Sequence, residues 1–327
     1  MAVGAFFDAE TKWFVEFDEA PSKVLAHHWP GVPNLGDVTK VDWSQVEPVD
    51  IITGGSPCQD LSQAGKRAGM TAGTRSNLWV NMREAIETIR PQLVVWENVR
   101  GALSAKAISE SDMESDSGQM GNLKALGRVL GDLAEIGYDA RWATIRASDV
   151  GAPHQRARVF LVAYPANAAG IGLEARQLPG GSEAEESCDN GSVRTLPTPN
   201  AYSGSAGGGQ HPDKRRAGGH SVGINDAAIA MGPGAETESP YGRYEEAVSR
   251  WGKLFRPAPY PTETGARGKH RLNIEFAEWM MGLPAGHVTS PEIGLSRASQ
   301  IKAIGNGVCP QQAFAAIEIL TSDEELV

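Results

Sequence analysis

"DIITGGSPCQDLSQAGKRAG", Asp50–Gly69, decides how this chain is read. It begins inside "VDIITGG" (Val49–Gly55), a short, apolar, β-branched run bounded by glycines. Such a run reads as an inner strand of a parallel sheet, covered on both faces. Open α/β sheets carry their chemistry past the carboxyl ends of these strands. Cys58 follows the strand there, in a loop of Gly, Ser, Pro, Gln and Asp. A cysteine can serve as a small buried hydrophobe, but a polar loop is a poor place for one. The position favours a nucleophile.

Further strands and helices alternate around this loop. "KWFVEF" (Lys12–Phe17) reads as a strand and "EAPSKVLAHHW" as a helix with Pro21 in its first turn. "RSNLWVNMREAIETIR" places Leu78, Met82, Ala85, Ile86 and Ile89 on one side of a helix that Pro91 ends. "QLVVWENV" (Gln92–Val99) is a second buried strand. "NLKALGRVLGDLAEIG" is an amphipathic helix stopped by Gly137. "YDARWATIRAS" and "RVFLVAYP" are further strands. The alternation predicts an α/β fold: a Rossmann-like, doubly wound, mostly parallel sheet.

Three segments are expected: residues 1–165 as the main domain, 166–262 as a smaller loop-rich domain, and 263–327 returning to the first. Residues 166–262 are rich in Gly, Pro, Ser and Ala. Disorder is the alternative for this region. However, "YGRYEEAVSRWGKLF" and "RPAPYPT" carry aromatics able to pack. "RLNIEFAEWMMGLP" and "CPQQAFAAIEIL" restore helical patterning.

The 327 residues carry a net charge of −10, which by itself speaks against a nucleic-acid partner. The charge is uneven: the chain is acidic through Asp50, whereas Arg243–Arg271 holds seven Lys/Arg against three Glu. A basic cleft on an acidic body is compatible with DNA, and so is an ordinary solvated face. Cys58, Cys188 and Cys309 have neither disulfide nor metal spacing, so a reducing cytoplasm is expected. No stretch is apolar enough to span a membrane, and the opening "MAVGAFFDAE" does not read as a secretory signal.

Five segments matter together: "GGSPCQDLSQAG", "VVWENVRG", "GAPHQRARVFLV", "RLNIEFAEWMMGLP" and "KAIGNGVCPQQA". In content and order they resemble the motifs of cytosine-C5 DNA methyltransferases of bacterial and bacteriophage type. The resemblance runs from Trp13 to the C-terminal helix. It implies methyl transfer from S-adenosylmethionine to C5 of a cytosine flipped out of double-stranded DNA. A thiolate adding at C6 makes C5 nucleophilic and later leaves. Cys58 matches that nucleophile. Glu97 matches the residue that meets N3, and a raised pKa is expected for it. The alternative for Glu97 is an ionised residue at the start of the next helix.

The resemblance also assigns Arg158 to the cytosine O2. Arg156, two residues away in what reads as a strand, would share its face. Surface arginines at a sheet edge are the alternative, above all for Arg156. Pro57 and Gln59 would shape the loop and meet the target or cofactor. Ser62, Lys66 and Arg67 would touch DNA phosphates. On the cofactor side, Glu16 matches an acid on ribose hydroxyls, with Phe17 against the adenine. Asp37 matches the adenine-amino contact with Val38 on the ring, and a turn aspartate is equally open. Leu78, Asn306 and Val308 complete the implied set. Residues 166–262 match the position of a target-recognition domain.

The family's opening strand and glycine-rich loop have no counterpart here. A sheet without that strand leaves backbone groups unpaired on its neighbours. Either the start is misassigned, with the missing residues encoded upstream, or the chain is a truncated relative, and poor stability and weak or no activity of the isolated chain are expected. A bacterial or phage modification system is the natural setting, with a monomeric enzyme in the host cytoplasm and a cognate restriction endonuclease as partner. A catalytically dead DNA-binding relative or decoy is the alternative, opposed by intact Cys58, Glu97 and Arg158. An RNA methyltransferase ranks lower, and a thiol redox enzyme is opposed by the lack of C-x-x-C.

Overall fold

The computed structural model describes residues 1–55, 78–104, 124–167, 193–201, 209–231, 239–265 and 268–322. Cys58, Pro57, Gln59, Ser62, Lys66 and Arg67 lie outside them. Among the described residues, the main sheet has four strands: β1 (Ile51–Gly54), β2 (Leu93–Val99), β3 (Tyr138–Ile145) and β4 (Arg158–Pro165), in the order β1-β2-β4-β3. β1 runs parallel to β2, with Ile51 opposite Leu93. β4 runs antiparallel to both β2 and β3.

The layered α/β fold stands, and its sheet is mixed. Among the described strands of the sheet, parallel pairing is confined to β1 and β2. β3 and β4 are joined by residues 146–157, which form a 3-10 turn and no α-helix, and the two strands run antiparallel.

Both faces of the sheet are covered. Val94 and Trp96 of β2 face α3 (Trp79–Ile89) and α4 (Ala125–Glu135), packing with Trp79, Ile86, Val129 and Leu133. Leu93 and Val95, one residue out of phase, face Ile317 and Leu320 of α10 (Pro310–Thr321), together with Phe160 and Val162. This two-sided burial is why β2 reads as a continuous apolar run. Trp79 Nε1 donates to Asp132 at 2.7 Å, so the indole N–H is satisfied in the core. Gly137 ends the α4 region at φ +80°, a conformation that costs a side-chain-bearing residue energy. Helix α1 (Ala2–Phe7) lies against α10, with Phe6 and Phe314 edge to face.

Lys12–Phe17 does not form a strand. It makes a single parallel bridge, Phe14 with Asn34, and no sheet strand pairs with it. An apolar run becomes a strand only by pairing with a neighbour, and none of the four described strands pairs with it. Helix α2 (Glu19–His28) follows as expected.

A second core joins the variable region to the C-terminal part. Ile224 of α6 (Ile224–Met231) and Trp251 of α7 (Glu245–Leu254) pack with Phe276 and Trp279 of α8 (Ile274–Met280) and with Ile301 and Ile304 of α9 (Arg297–Asn306). Trp251 Nε1 donates to the Trp279 carbonyl at 3.0 Å. Glu278, fully buried, accepts from the backbone N–H groups of Gly286, Val288 and Thr289 and from the Thr289 hydroxyl, tying down the turn after α8. The short helix α5 (Pro212–Ala217) and the two-stranded ribbon β5 (Thr262–Thr264) and β6 (His270–Leu272) complete the described elements. No described helix is long and apolar enough to cross a membrane.

Candidate active site

β2 carries Glu97 near its carboxyl end, and β4 begins with Arg158. Antiparallel pairing sets Val99 opposite Arg158 and Glu97 opposite Phe160, so the two charged side chains share a face. Arg158 Nε stands 2.9 Å from Glu97 Oε1. Burial pushes the Glu97 carboxyl above the ordinary glutamate range, against the pull of Arg158 and then of Arg156.

β1 ends beside this pair. A Cβ on Gly55 would stand 2.7 Å from the Glu97 carbonyl oxygen and 3.3 Å from Oε2. Only glycine lets the backbone approach so closely. Oε1 therefore faces Arg158 while Oε2 faces the chain leaving β1, three residues before Cys58 in sequence.

Arg156 is not a facing neighbour of Arg158. It lies before β4 begins, with φ +33°, so strand alternation does not reach it. It is not on the surface either, being only 5% exposed. Its guanidinium donates to the carbonyls of Pro199 at 3.1 Å, Gly305 at 2.9 Å and Gly307. It thus joins the start of β4, the edge of the variable region and the end of α9. Gln312 Nε2 donates to the Arg156 carbonyl at 2.8 Å and to that of Ile145 at 2.7 Å. His154 is fully buried, bonds through Nε2 to the Met280 carbonyl at 3.0 Å, and is held neutral by burial, its pKa lowered to about 3.

A cavity of about 1730 Å³ opens on the other side of β1. Glu16, Phe17, Asp37, Val38 and Leu78 all line it, so five of the cofactor-side candidates are brought together. Gly54 and Gly55 line it too, which joins this cavity to the Glu97–Arg158 pair. Glu16 is partly buried. Desolvation raises its carboxyl pKa, while Oε1 accepts the Asp18 N–H at 2.7 Å. Asp37 caps a turn through the Thr39 hydroxyl at 2.8 Å and the Thr39 N–H at 3.1 Å, and these bonds lower its pKa. The turn-aspartate reading and the place on the cavity wall both hold for it. Phe17 is 77% exposed, a flat apolar ring bare to solvent.

Asn306 and Val308 do not reach this cavity. Asn306 is exposed at the end of α9, and Val308 packs against the buried cluster that includes Leu93, Phe160 and Ile317. Lys302, one turn earlier on α9, lines the cavity instead and pairs with Asp18. Lys302, His154 and Gly55 were not singled out from sequence. Only Gly55 had a readable signal, as the second glycine after a buried strand.

The profile of the C-5 cytosine-specific DNA methylases matches residues 3–321. This chain belongs to that family. Over 146 residues it is 30% identical to the Type II methyltransferase M.NlaIV of Neisseria lactamica, covering 45% of this chain and 32% of that protein. Over 149 residues it is 30% identical to M1.ScrFI of Lactococcus lactis subsp. cremoris, covering 46% and 34%. A DNA N-6-adenine-methyltransferase of Escherichia phage P1 is 41% identical over 105 residues, covering 28% of this chain and 14% of that protein. The matched stretches thus span about a third or less of these relatives. Among solved structures, S. pombe Dnmt2 methyltransferase superposes with a TM-score of 0.55 at 11% identity, covering 98% of this chain and 93% of that one. A Spodoptera frugiperda DNMT2 mutant gives 0.51 at 16% identity, covering 98% and 95%. These likenesses concern the fold, and they agree with the α/β architecture of a methyltransferase.

Proposed function

We propose that the chain is a DNA cytosine-5 methyltransferase that uses Cys58 as nucleophile, Glu97 as proton donor and Arg158 as its partner. The observation that carries this reading is the meeting of three strand ends. β1 leads into Gly55, three residues before Cys58 in sequence, β2 carries Glu97, and β4 opens with Arg158 within 2.9 Å of it.

The Cys58 thiolate adds to C6 of a cytosine flipped from the duplex, forming an S–C6 bond. Electron density then moves toward N3, where Glu97 supplies a proton from Oε2. Its raised pKa keeps that proton available, and Arg158 holds Oε1 and orients the carboxyl. C5 becomes nucleophilic and takes a methyl group. A water takes the C5 proton, N3 returns its proton to Glu97, and breakage of the S–C6 bond restores the ring and the thiolate.

The cavity fits S-adenosylmethionine as methyl donor: two carboxylates suit hydroxyl and amino groups, and Phe17, Val38 and Leu78 offer apolar contact. When bound, that group supplies an electrophilic methyl. The roles of Glu16 and Asp37 are to hold its polar edges, and that of Phe17 is to cover a flat ring. Ser62, Lys66 and Arg67 contact phosphates, residues 166–262 recognise the target sequence, and a restriction endonuclease is the expected partner.

Nucleoside analysis of duplex DNA incubated with the chain and labelled S-adenosylmethionine tests this reading. Label in 5-methylcytosine supports it. Label in N6-methyladenine overturns it, as does DNA binding without any transfer when cofactor binding is intact.

A further inference from the structure

Glu16, Asp18 and Lys302 form a connected row on the cavity wall. The Glu16 backbone is fixed by Asn34: its N–H donates to Asn34 Oδ1 at 2.9 Å, and its carbonyl accepts from Asn34 Nδ2 at 3.0 Å. The Glu16 side chain is set separately, through the Asp18 N–H that donates to Oε1 at 2.7 Å. Asp18 stands at the N-cap of α2, and its carboxylate pairs with Lys302 Nζ of α9. Contacts thus run from α9 through Asp18 to one oxygen of Glu16.

Both ends of the ion pair project from anchored elements. Ile301 and Ile304 bury α9 in the second core. At the far end of α2, His28 Nε2 meets the His287 carbonyl at 2.7 Å, and the two imidazoles stack 4.2 Å apart. The pair itself is open to solvent, with side-chain exposures of 49% for Lys302 and 43% for Asp18. Such a pair adds little to folding stability. Its consequence is local, at Glu16. Burial raises the Glu16 carboxyl, the Asp18 charge raises it further, and the Lys302 ammonium pulls the other way. An ionised carboxylate accepts at both oxygens, which suits hydroxyl donors.

We propose that Lys302 is a positioning residue for the cofactor: through Asp18 it sets the turn that aims Glu16 at the ribose hydroxyls. The inference rests on the cofactor reading of the cavity and concerns the nucleoside half of the ligand. Lys302 acts through Asp18 and Glu16 and does not itself touch the ligand. Its place on the cavity wall makes direct contact with the ligand's carboxylate the rival role, and the test separates the two.

Calorimetric titration of the full chain with S-adenosylhomocysteine and with methylthioadenosine, which lacks the amino-acid end, tests this. Lys302→Met should weaken both ligands alike by about tenfold, the scale of one misdirected charge-assisted hydrogen bond. Asp18→Asn should reproduce that loss, and Lys302→Arg should restore most of the affinity. In a Glu16→Ala background Lys302→Met should cost nothing further. Urea midpoints of Lys302→Met and wild type should coincide, because the pair is open to solvent. A loss confined to S-adenosylhomocysteine assigns Lys302 to the carboxylate and overturns the proposal. A loss that persists undiminished in Glu16→Ala overturns it too. Unchanged affinity of Lys302→Met, with both ligands bound by wild type, overturns the proposal and leaves the cofactor reading standing. Binding of neither ligand by wild type overturns that reading and the proposal with it.

Discussion

Glu97 and Arg158 meet across an antiparallel strand pair, with Arg158 Nε 2.9 Å from Glu97 Oε1, beside the point where the chain turns toward Cys58. The pair orients one carboxyl oxygen and leaves the other toward Gly55. Arg158→Ala removes that orientation without removing the acid. A fall in kcat of about 10²–10³ is expected, the scale for losing one aimed donor. Single-turnover methylation against cofactor binding is the check, because cofactor affinity should hold.

Glu97→Gln keeps a hydrogen-bond donor but not a transferable proton. A loss of roughly 10²–10⁴ in kcat is expected. Its effect on stability has the opposite sign. Burial raises the folded-state pKa of Glu97, so the folded chain holds this proton more tightly than the unfolded chain. That contribution is present below the ordinary glutamate range and is lost as pH rises through the folded pKa. Urea titrations should show Glu97→Gln gaining stability relative to wild type as pH increases toward neutrality.

Gly55→Ala would place a methyl 2.7 Å from the Glu97 carbonyl oxygen. Backbone cannot yield as a flexible side chain does. A cost of about 1–3 kcal/mol, typical of overpacking, is expected with loss of activity. Gly54→Ala meets the flexible Met82 side chain first, at 3.0 Å, and should cost less. Paired denaturation curves separate the two.

The strand–helix framework was legible because burial on both faces leaves continuous apolar runs, as in "QLVVWENV", and because Pro91 and Gly137 punctuate the helices. Glu97 was legible from its place at a strand end. The role of Arg156 was not. Its guanidinium reaches carbonyls at Pro199, Gly305 and Gly307, and no local pattern encodes contacts across that separation. The missing strand at Lys12–Phe17 has the same origin: its residues suit a strand, but pairing depends on a neighbour that local sequence does not reveal. Asn306 and Val308 were placed by motif, whereas Lys302, one turn earlier on α9, is the residue that lines the cavity.

Arg156→Ala should therefore act on folding more than on chemistry. Charge-assisted bonds contribute about 1.5–3 kcal/mol each, and several buried acceptors lose their donor together. A loss of about 3 kcal/mol or more is expected by chemical denaturation. Arg158→Ala should cost less stability and more kcat, which separates the two arginines.

His154 sets a pH dependence of its own. Its folded pKa of about 3 lies below the unfolded value near 6.5. Stability from neutral His154 is complete above the unfolded pKa and falls as pH drops from there toward 3. One proton taken up on unfolding gives a slope of about 1.4 kcal/mol per pH unit in that window. His154→Gln should flatten the slope in denaturation measured between pH 6 and 4.

The covalent role of Cys58 is tested most directly by trapping. A duplex in which fluorine replaces the cytosine C5 hydrogen has no C5 proton to release, so elimination stalls with sulfur still on C6. Mass spectrometry of the chain incubated with this duplex and S-adenosylmethionine should show a DNA adduct on the peptide carrying Cys58, absent from Cys58→Ser. An adduct on Cys188 or Cys309, or methylation of ordinary duplex by Cys58→Ser, would contradict the assignment.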